Sequence, residues 1–215
     1  MMAEVLAARD RVDILDQTWQ LKIEMGWVSD PNCDPAYELD AVAVLTNSGG
    51  HIRHRLDLVT YDSENTITFN GEEHPCSYDE SVIGPSAYED DEVAPGVGRT
   101  TLFVDLHKTD ERVKTILFAL CLFWNETNPQ DKRLQYHFGE LSNIYISLKD
   151  QNTDQELVRF VLDPQAVNHC KGAELGKLYR RGDSWRFMAI EQGLKNGWED
   201  IMDLYAKGPL ESPDF

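Results

Sequence analysis

A short acidic stretch near the N-terminus carries the side chains best suited to binding a metal ion. Asp30, Asn32 and Asp34 reproduce the D-x-N-x-D spacing that opens an EF-hand calcium loop. The rest of that motif is absent, because Pro35 stands where the motif needs Gly and Ala41 stands where it needs Glu. An EF-hand is therefore excluded, while a loop rich in oxygen ligands remains.

Two further carboxylates, Glu38 and Asp40, stand at the start of the apolar segment "ELDAVAVLT". If this segment is a strand, its two-residue period places both on one face, roughly 7 Å apart, with Leu39 and Ala41 on the other face. Two carboxylates this close disfavour each other's charge unless a cation lies between them. Ca²⁺ suits such a place because it accepts six to eight oxygen ligands in a flexible geometry. A solvated acidic turn explains the same composition, and the spacing alone does not separate the two interpretations.

Patterns typical of other chemistry are weaker. His51 and His54 are three residues apart, which on a strand points them to opposite faces and does not suit zinc. There is no G-x-S-x-G, no P-loop and no dinucleotide fingerprint. A pair of carboxylates can also serve acid–base catalysis, but the sequence shows no group that would orient a substrate beside them. We therefore expect a protein that is not an enzyme.

The net charge and the composition limit the classes of partner that the protein can bind. The 215 residues include 38 acids against 20 Lys and Arg, a formal net charge of −18, which repels nucleic acid and anionic lipid. The apolar run Ile116–Trp124 is too short to span a membrane, which needs about 20 residues. The four cysteines are irregularly spaced, as in proteins whose thiols stay reduced. We expect a cytoplasmic protein whose partners are calcium ions and other proteins, with no nucleic acid and no membrane span.

The elements that must position these acids are mostly strands. Short β-type segments recur from Thr18 onward, and turn-rich stretches separate many of them, a pattern typical of an antiparallel sandwich. The segments are "WQLKIEMGW", "ELDAVAVLT", "RLDLVTYD", "TTLFVDLHK", "VKTILFALCLFW", "NIYISLKD", "ELVRFVLD", "GKLYRR" and "SWRFMAIE". The stretch between Asp62 and Arg99 lacks sustained periodicity and is predicted to be a long loop.

Two helices are predicted at the ends of the chain. In "NGWEDIMDLYAKGP", Asn196 is the predicted N-cap, Glu199 takes the capping-box position and Gly208-Pro209 ends the helix. Its apolar stripe, which is predicted to pack on the sandwich, consists of Trp198, Ile201, Met202 and Tyr205. At the other end, the thinner stripe of Val5, Leu6, Val12 and Leu15 predicts a short amphipathic N-terminal helix.

Several of these segments resemble the TerD family of tellurium-resistance and stress proteins. Gly26-Trp27 followed by "YELDAVAVL" is similar to the family's G-W and D-F-D-L-D-A-S-A pattern. The segments "DKRLQYHFGELSNIYISLKD", "ELVRFVLD" and "ELGKLYRRGDSWRFMAIEQG" resemble the family's second half. The resemblance extends from about Trp19 to Tyr205. It implies a mainly β protein, an antiparallel β-sandwich that binds Ca²⁺ between acidic loops, and a cytoplasmic role in the response to tellurite and other stress.

The resemblance also assigns candidate ligands. Glu38 and Asp40 stand where the family has strand-start aspartates, while Val28 and Ala36 replace two of its acids. The acids of "YEDDEVAPGVG" are candidates to substitute for missing loop ligands. The full set of predicted calcium ligands consists of Asp34, Glu38, Asp40, Asp62, Asp90 and Asp91.

Two functions follow from this organisation. We expect an N-terminal extension over residues 1–17, a TerD-like β-sandwich domain over residues 18–208 and a tail over residues 209–215. The leading hypothesis is a non-enzymatic Ca²⁺-binding protein of the stress response. The alternative is a structural or scaffold subunit with degenerate metal sites, which docks other proteins through its acidic surface or its N-terminal segment.

Overall fold

Two β-sheets form the body of the molecule. The computed structural model describes residues 3–86, 92–123, 128, 130–207 and 210. The strands are β1 (Glu4–Leu6), β2 (Arg11–Ile14), β3 (Gln20–Val28), β4 (Leu39–Thr46), β5 (Leu58–Val59), β6 (Thr66–Phe69), β7 (Glu72–Pro75), β8 (Val82–Ile83), β9 (Glu92–Ala94), β10 (Val97–Asp105), β11 (Thr115–Leu122), β12 (Ser142–Asp150), β13 (Glu156–Val161), β14 (Gly172–Arg181) and β15 (Ser184–Leu194). Short 3-10 turns lie at Asp16–Thr18, Arg55–Asp57, Lys132–Gln135 and Phe138–Glu140, and the helix α1 is Trp198–Tyr205.

The strand order confirms the predicted antiparallel sandwich with a C-terminal helix. In sheet 1 the order is β1-β13-β12-β3-β10-β8, with β9 also beside β10. In sheet 2 the order is β2-β15-β14-β11-β4-β5, and β6 and β7 form a separate hairpin. Neighbouring strands in the described part of the chain are antiparallel except β1 and β13, which are parallel.

One apolar core lies between the sheets and a second lies outside sheet 2. Strand β4 contributes to both, because Ala41 and Ala43 belong to the core between the sheets. Val42 and Val44, on the opposite face, belong to the core that α1 covers with Ile201. The two-residue alternation predicted for this strand is therefore confirmed, and the strand is buried on both faces.

The C-terminal helix is confirmed, but its cap differs from the prediction. The N-cap is Gly197, at φ 62°, a conformation that glycine adopts without a steric penalty. Asn196 lies one residue earlier, and both its backbone N–H and its side-chain amide donate to the Asp200 carboxylate at 2.9 Å. The reciprocal contact therefore falls to Asp200, and the assignment of Glu199 to this position was wrong. Within the described ranges, no helix is long and apolar enough to cross a membrane.

The N-terminal helix prediction was wrong, because this segment forms β1 and β2. Leu6 and Ile14 are buried in the core between the sheets, whereas Val5 and Leu15 are 72% and 60% exposed. The chain turns between the strands at Arg9, whose φ is 72°. As a result β1 pairs with β13 in sheet 1 and β2 pairs with β15 in sheet 2. Pairing with distant strands outweighs the weak local helical pattern.

The stretch from Asp62 to Arg99, predicted to be one long loop, contains β6, β7, β8, β9 and the start of β10. The β6–β7 hairpin turns at Asn70 and Gly71, whose φ angles are 52° and 91°. Asn-Gly is a strong hairpin signal. The strands on either side of it are too short to show an apolar alternation, so the sequence pattern did not predict them. The β6–β7 hairpin contacts sheet 1 through the rings of Phe69 and Phe103, whose centroids lie 4.7 Å apart.

Candidate acidic cleft at the start of strand β4

A cleft of about 470 Å³ opens where β4 begins and β11 ends. It joins carboxylates, aromatic rings and a buried apolar floor. The lining residues are Asp40, Val42, Arg55, Thr60, Tyr61, Asp62, Cys121, Leu122, Phe123 and Trp198. Two of the six predicted calcium ligands, Asp40 and Asp62, therefore lie in one cavity although they are far apart along the chain.

The pairing of β4 with β11 fixes one side of this acidic cleft. Asp40 lies opposite Cys121 in the antiparallel ladder. The ladder continues beyond the strands, because the Phe123 backbone N–H donates to the Glu38 carbonyl at 2.9 Å. Since β4 is buried on both faces, its first residues cannot shift without disturbing two cores. The Asp40 carboxylate therefore projects from a rigid backbone.

The loop after β5 forms the opposite side. The Thr60 hydroxyl donates to Asp62 Oδ1 at 2.6 Å, and the Thr60 backbone N–H donates to the Ser63 hydroxyl oxygen at 2.9 Å. The Ser63 hydroxyl in turn donates to the Leu58 carbonyl at 3.1 Å. These short-range bonds are the way in which Ser, Thr and Asp residues fix tight loops. They hold Asp62 beside Tyr61 at the rim of the acidic cleft.

The charges of three predicted ligands act on the Tyr61 hydroxyl. Partial burial raises the pKa of Tyr61, and the negative charges of Asp40, Asp62 and Glu38 raise it further. On the floor, burial raises the pKa of the Cys121 thiol well above its ordinary range, and the charge of Asp40 adds to this effect. This thiol stays protonated at neutral pH, which suits neither nucleophilic catalysis nor metal ligation.

Glu38 and Asp34 lie outside the acidic cleft and have other contacts. Glu38 accepts a hydrogen bond from Arg133 Nη1 at 2.7 Å. Arg133 is itself held by Asp131, with Nη2 2.9 Å from Oδ2. The side chain of Asp34 is exposed, while its backbone carbonyl accepts from the Lys132 ammonium at 3.1 Å. The sequence pattern showed neither of these basic partners, because both follow the acidic stretch by about a hundred residues.

The D-x-N-x-D stretch forms a local turn. Asp30 Oδ1 accepts from both the backbone N–H and the side-chain amide of Asn32, each at 2.9 Å, and these bonds lower the pKa of Asp30. Asp90 and Asp91 lie outside the described residues. Within the ranges that the structure describes, no group of three or more His, Cys, Asp or Glu side chains could hold a metal ion. Asp40 and Asp62 are therefore a pair of carboxylates whose remaining neighbours in the acidic cleft are not carboxylates.

Sequence reasoning selected the acids of the acidic cleft but missed its aromatic lining. Trp198 appeared only as part of the apolar stripe of α1, and it does pack against the core under that helix. The same side chain also lines the acidic cleft together with Tyr61 and Phe123. The available signal was the position of Tyr61, which directly precedes a candidate ligand.

Known proteins resemble this chain over most of its length. The TerD domain model matches residues 2–205. The tellurium resistance protein TerD of Serratia marcescens is 24% identical over 187 residues, which are 85% of each chain. General stress protein 16U of Bacillus subtilis is 22% identical over 173 residues, covering 79% of this chain and 77% of that protein. In the solved structures, a homologue of the telluride resistance protein TerD from Streptomyces coelicolor has the same fold, with a TM-score of 0.54 and 12% identity over 85% of this chain and 94% of that one. The chain therefore belongs to the TerD domain family.

Proposed function

We propose that this protein is a non-enzymatic, cytoplasmic Ca²⁺-binding protein of the stress response. The names of two relatives, one for tellurium resistance and one for general stress, support the biological role. The meeting of Asp40 and Asp62 in the acidic cleft carries the chemical part of the proposal.

The donors fit a hard cation in type. Asp40 and Asp62 offer carboxylate oxygens, and Thr60, whose hydroxyl donates to Asp62, lines the same cleft. Ca²⁺ prefers oxygen ligands and takes part of its shell from water, so a two-carboxylate site open to solvent suits a weakly bound ion. The protonated thiol of Cys121 would not compete with the oxygen ligands.

Glu38 is the next candidate ligand, and its ion pair with Arg133 opposes calcium binding. The Glu38 side chain is 55% exposed, so the pair lies at the surface and is worth at most about 1 kcal/mol. A divalent ion beside Asp40 can therefore draw Glu38 away at low cost. Asp34, Asp90 and Asp91 complete the set of acids to be tested.

Calorimetric titration of chelator-treated protein with Ca²⁺, with Mg²⁺ as the control ion, tests the proposal. We expect saturable binding of Ca²⁺, and at about a hundredfold excess over Kd a gain of about 2.7 kcal/mol in unfolding free energy. The double variant Asp40→Asn with Asp62→Asn should abolish the transition. The matched control Glu72→Gln with Asp183→Asn removes two exposed charges elsewhere and should leave it unchanged. An unchanged titration in the Asp40 and Asp62 variant would refute the assignment of the calcium site to these two residues.

The scaffold alternative is favoured by one observation. Strands β1 and β2 lie at the ends of sheet 1 and sheet 2, where each leaves one side of its backbone without a neighbouring strand in the described part of the chain. Such edges can pair with another protein. Co-purification of a partner whose binding is lost when Val5 and Val12 are replaced by proline, together with no heat in the calcium titration, would favour this function.

A further inference from the structure

The acidic cleft has a second kind of lining that calcium cannot use. Three aromatic residues, Tyr61, Phe123 and Trp198, line the same cleft as Asp40 and Asp62. Aromatic rings offer no ligand to a hard metal ion, whose shell is made of oxygen atoms. The faces of such rings attract organic cations, because the ring quadrupole is negative there.

We propose that the acidic cleft binds a small organic ammonium ion whose nitrogen carries alkyl groups. The rings would contact the alkyl groups and Asp40 and Asp62 would balance the charge, which is the arrangement by which aromatic cages recognise quaternary ammonium groups. The cavity, at about 470 Å³, is within the range of small-molecule sites. The net charge of −18 adds a long-range attraction for cations.

One ring of this cleft already contacts a cation within the protein. The guanidinium carbon of Arg133 lies 5.3 Å from the centroid of the Phe123 ring. This distance is within the range of a cation–π contact. Asp131 and Glu38 balance the charge of Arg133. The Phe123 ring therefore already lies beside a cation that is held by two carboxylates.

Arg55 helps to decide whether the ligand of the acidic cleft is a simple cation or a zwitterion. It lines the acidic cleft, is exposed, and has no ion pair with a residue that the structure describes. A pure cation would repel the guanidinium of Arg55, which is exposed and can turn toward solvent. A ligand with both an alkylated ammonium and a carboxylate would use Arg55 for the carboxylate, since guanidinium binds carboxylates with two hydrogen bonds.

This inference goes beyond calcium binding, and its experiment is done in chelator so that the two proposals fail separately. The chain is titrated calorimetrically with tetramethylammonium chloride and, separately, with glycine betaine, against sodium chloride at equal ionic strength. Saturable binding of at least one of the two is expected. Tighter binding of betaine identifies a zwitterion site, and tighter binding of tetramethylammonium identifies a cation site.

Variants assign the binding to the rings. Tyr61→Leu, at a rim residue that is 40% exposed, should weaken binding of the ammonium ion about fivefold. The matched control Tyr179→Leu changes a tyrosine outside the lining and should leave the affinity as it is. Asp40→Asn should weaken both ammonium and calcium binding. The proposal is overturned if neither compound binds, or if Tyr61→Leu binds as well as the unchanged protein.

Discussion

Replacing Asp57 by Asn should strongly destabilise the protein, because Asp57 is half of a buried ion pair. The side chains of Arg53 and Asp57 are 3% and 0% exposed. Asp57 Oδ2 accepts from Arg53 Nε at 2.9 Å and from the Arg53 backbone N–H at 3.0 Å, while Oδ1 accepts from Nη2 at 2.9 Å. The remaining guanidinium nitrogen, Nη1, lies 2.8 Å from Asp110 Oδ2.

The size of the loss follows from these contacts. Removing one partner of a buried ion pair costs about 3–5 kcal/mol. Asn keeps one acceptor oxygen, and Arg53 keeps Asp110, so we expect the low end, about 3 kcal/mol. For a chain of this size, that loss lowers Tm by roughly 6–12 °C. Because Asp57 directly precedes β5, the change should also loosen the loop that carries Asp62.

Urea unfolding followed by tryptophan fluorescence measures the effect. The midpoint should fall while the m-value stays constant, which separates lost stability from a changed unfolded state. Asp183→Asn, at an exposed turn, serves as the control and should stay within about 0.5 kcal/mol of the unchanged protein. A loss below about 1 kcal/mol in Asp57→Asn would show that the pair is dispensable and would refute the reasoning.

Three further results are expected. Deleting residues 1–16 should lower the unfolding free energy by about 3–6 kcal/mol, because the buried side chains of Leu6 and Ile14 are lost with β1 and β2. An unchanged Tm would contradict the place of these strands in the sheets. The pKa of Asp110 is held low, first by its hydrogen bond to Arg112. The ionised carboxylate therefore stabilises the fold above the unfolded pKa of about 3.9, and this stabilisation is lost as the pH falls through the folded pKa. Asp110→Asn should make Tm depend less steeply on pH on the acid side, and a steeper dependence would contradict this. Tyr205→Phe removes a 2.6 Å hydrogen bond to buried Glu174 and should cost about 2 kcal/mol by urea unfolding at pH 7, with almost no further loss when Glu174→Gln is added.

The strongly patterned parts of the fold could be predicted from the sequence. The alternation from Leu39 to Leu45 decided the inner and outer faces of β4 correctly, because side-chain direction in a strand depends only on local geometry. Helix α1 could be predicted for the same reason, because its apolar residues recur with the helical period. Its cap was misplaced by one residue because Gly197 has no side chain to signal a cap.

The parts that depend on distant partners could not be predicted. Val5, Leu6 and Leu15 make a pattern that is compatible with a helix, and only the availability of β13 and β15 as neighbours decides for strands. The candidate site shows the same division. Asp40 could be selected from the local sequence pattern and Asp62 from the family resemblance, whereas the pairing of Glu38 with Arg133 requires knowledge of which loops meet.

The position of β1 and β2 has a consequence for folding during synthesis. Glu4 pairs with Val158 and Arg11 pairs with Met188, so β1 and β2 leave the ribosome more than 150 residues before their partner strands. At about 5–20 residues per second, they wait roughly 8–35 seconds for their partner strands to be synthesised. Residues 4–16 carry four acids against two arginines, and this excess of negative charge opposes premature association with the rest of an acidic chain. Addition of β1 to sheet 1 therefore follows synthesis of β13, and addition of β2 to sheet 2 follows synthesis of β15.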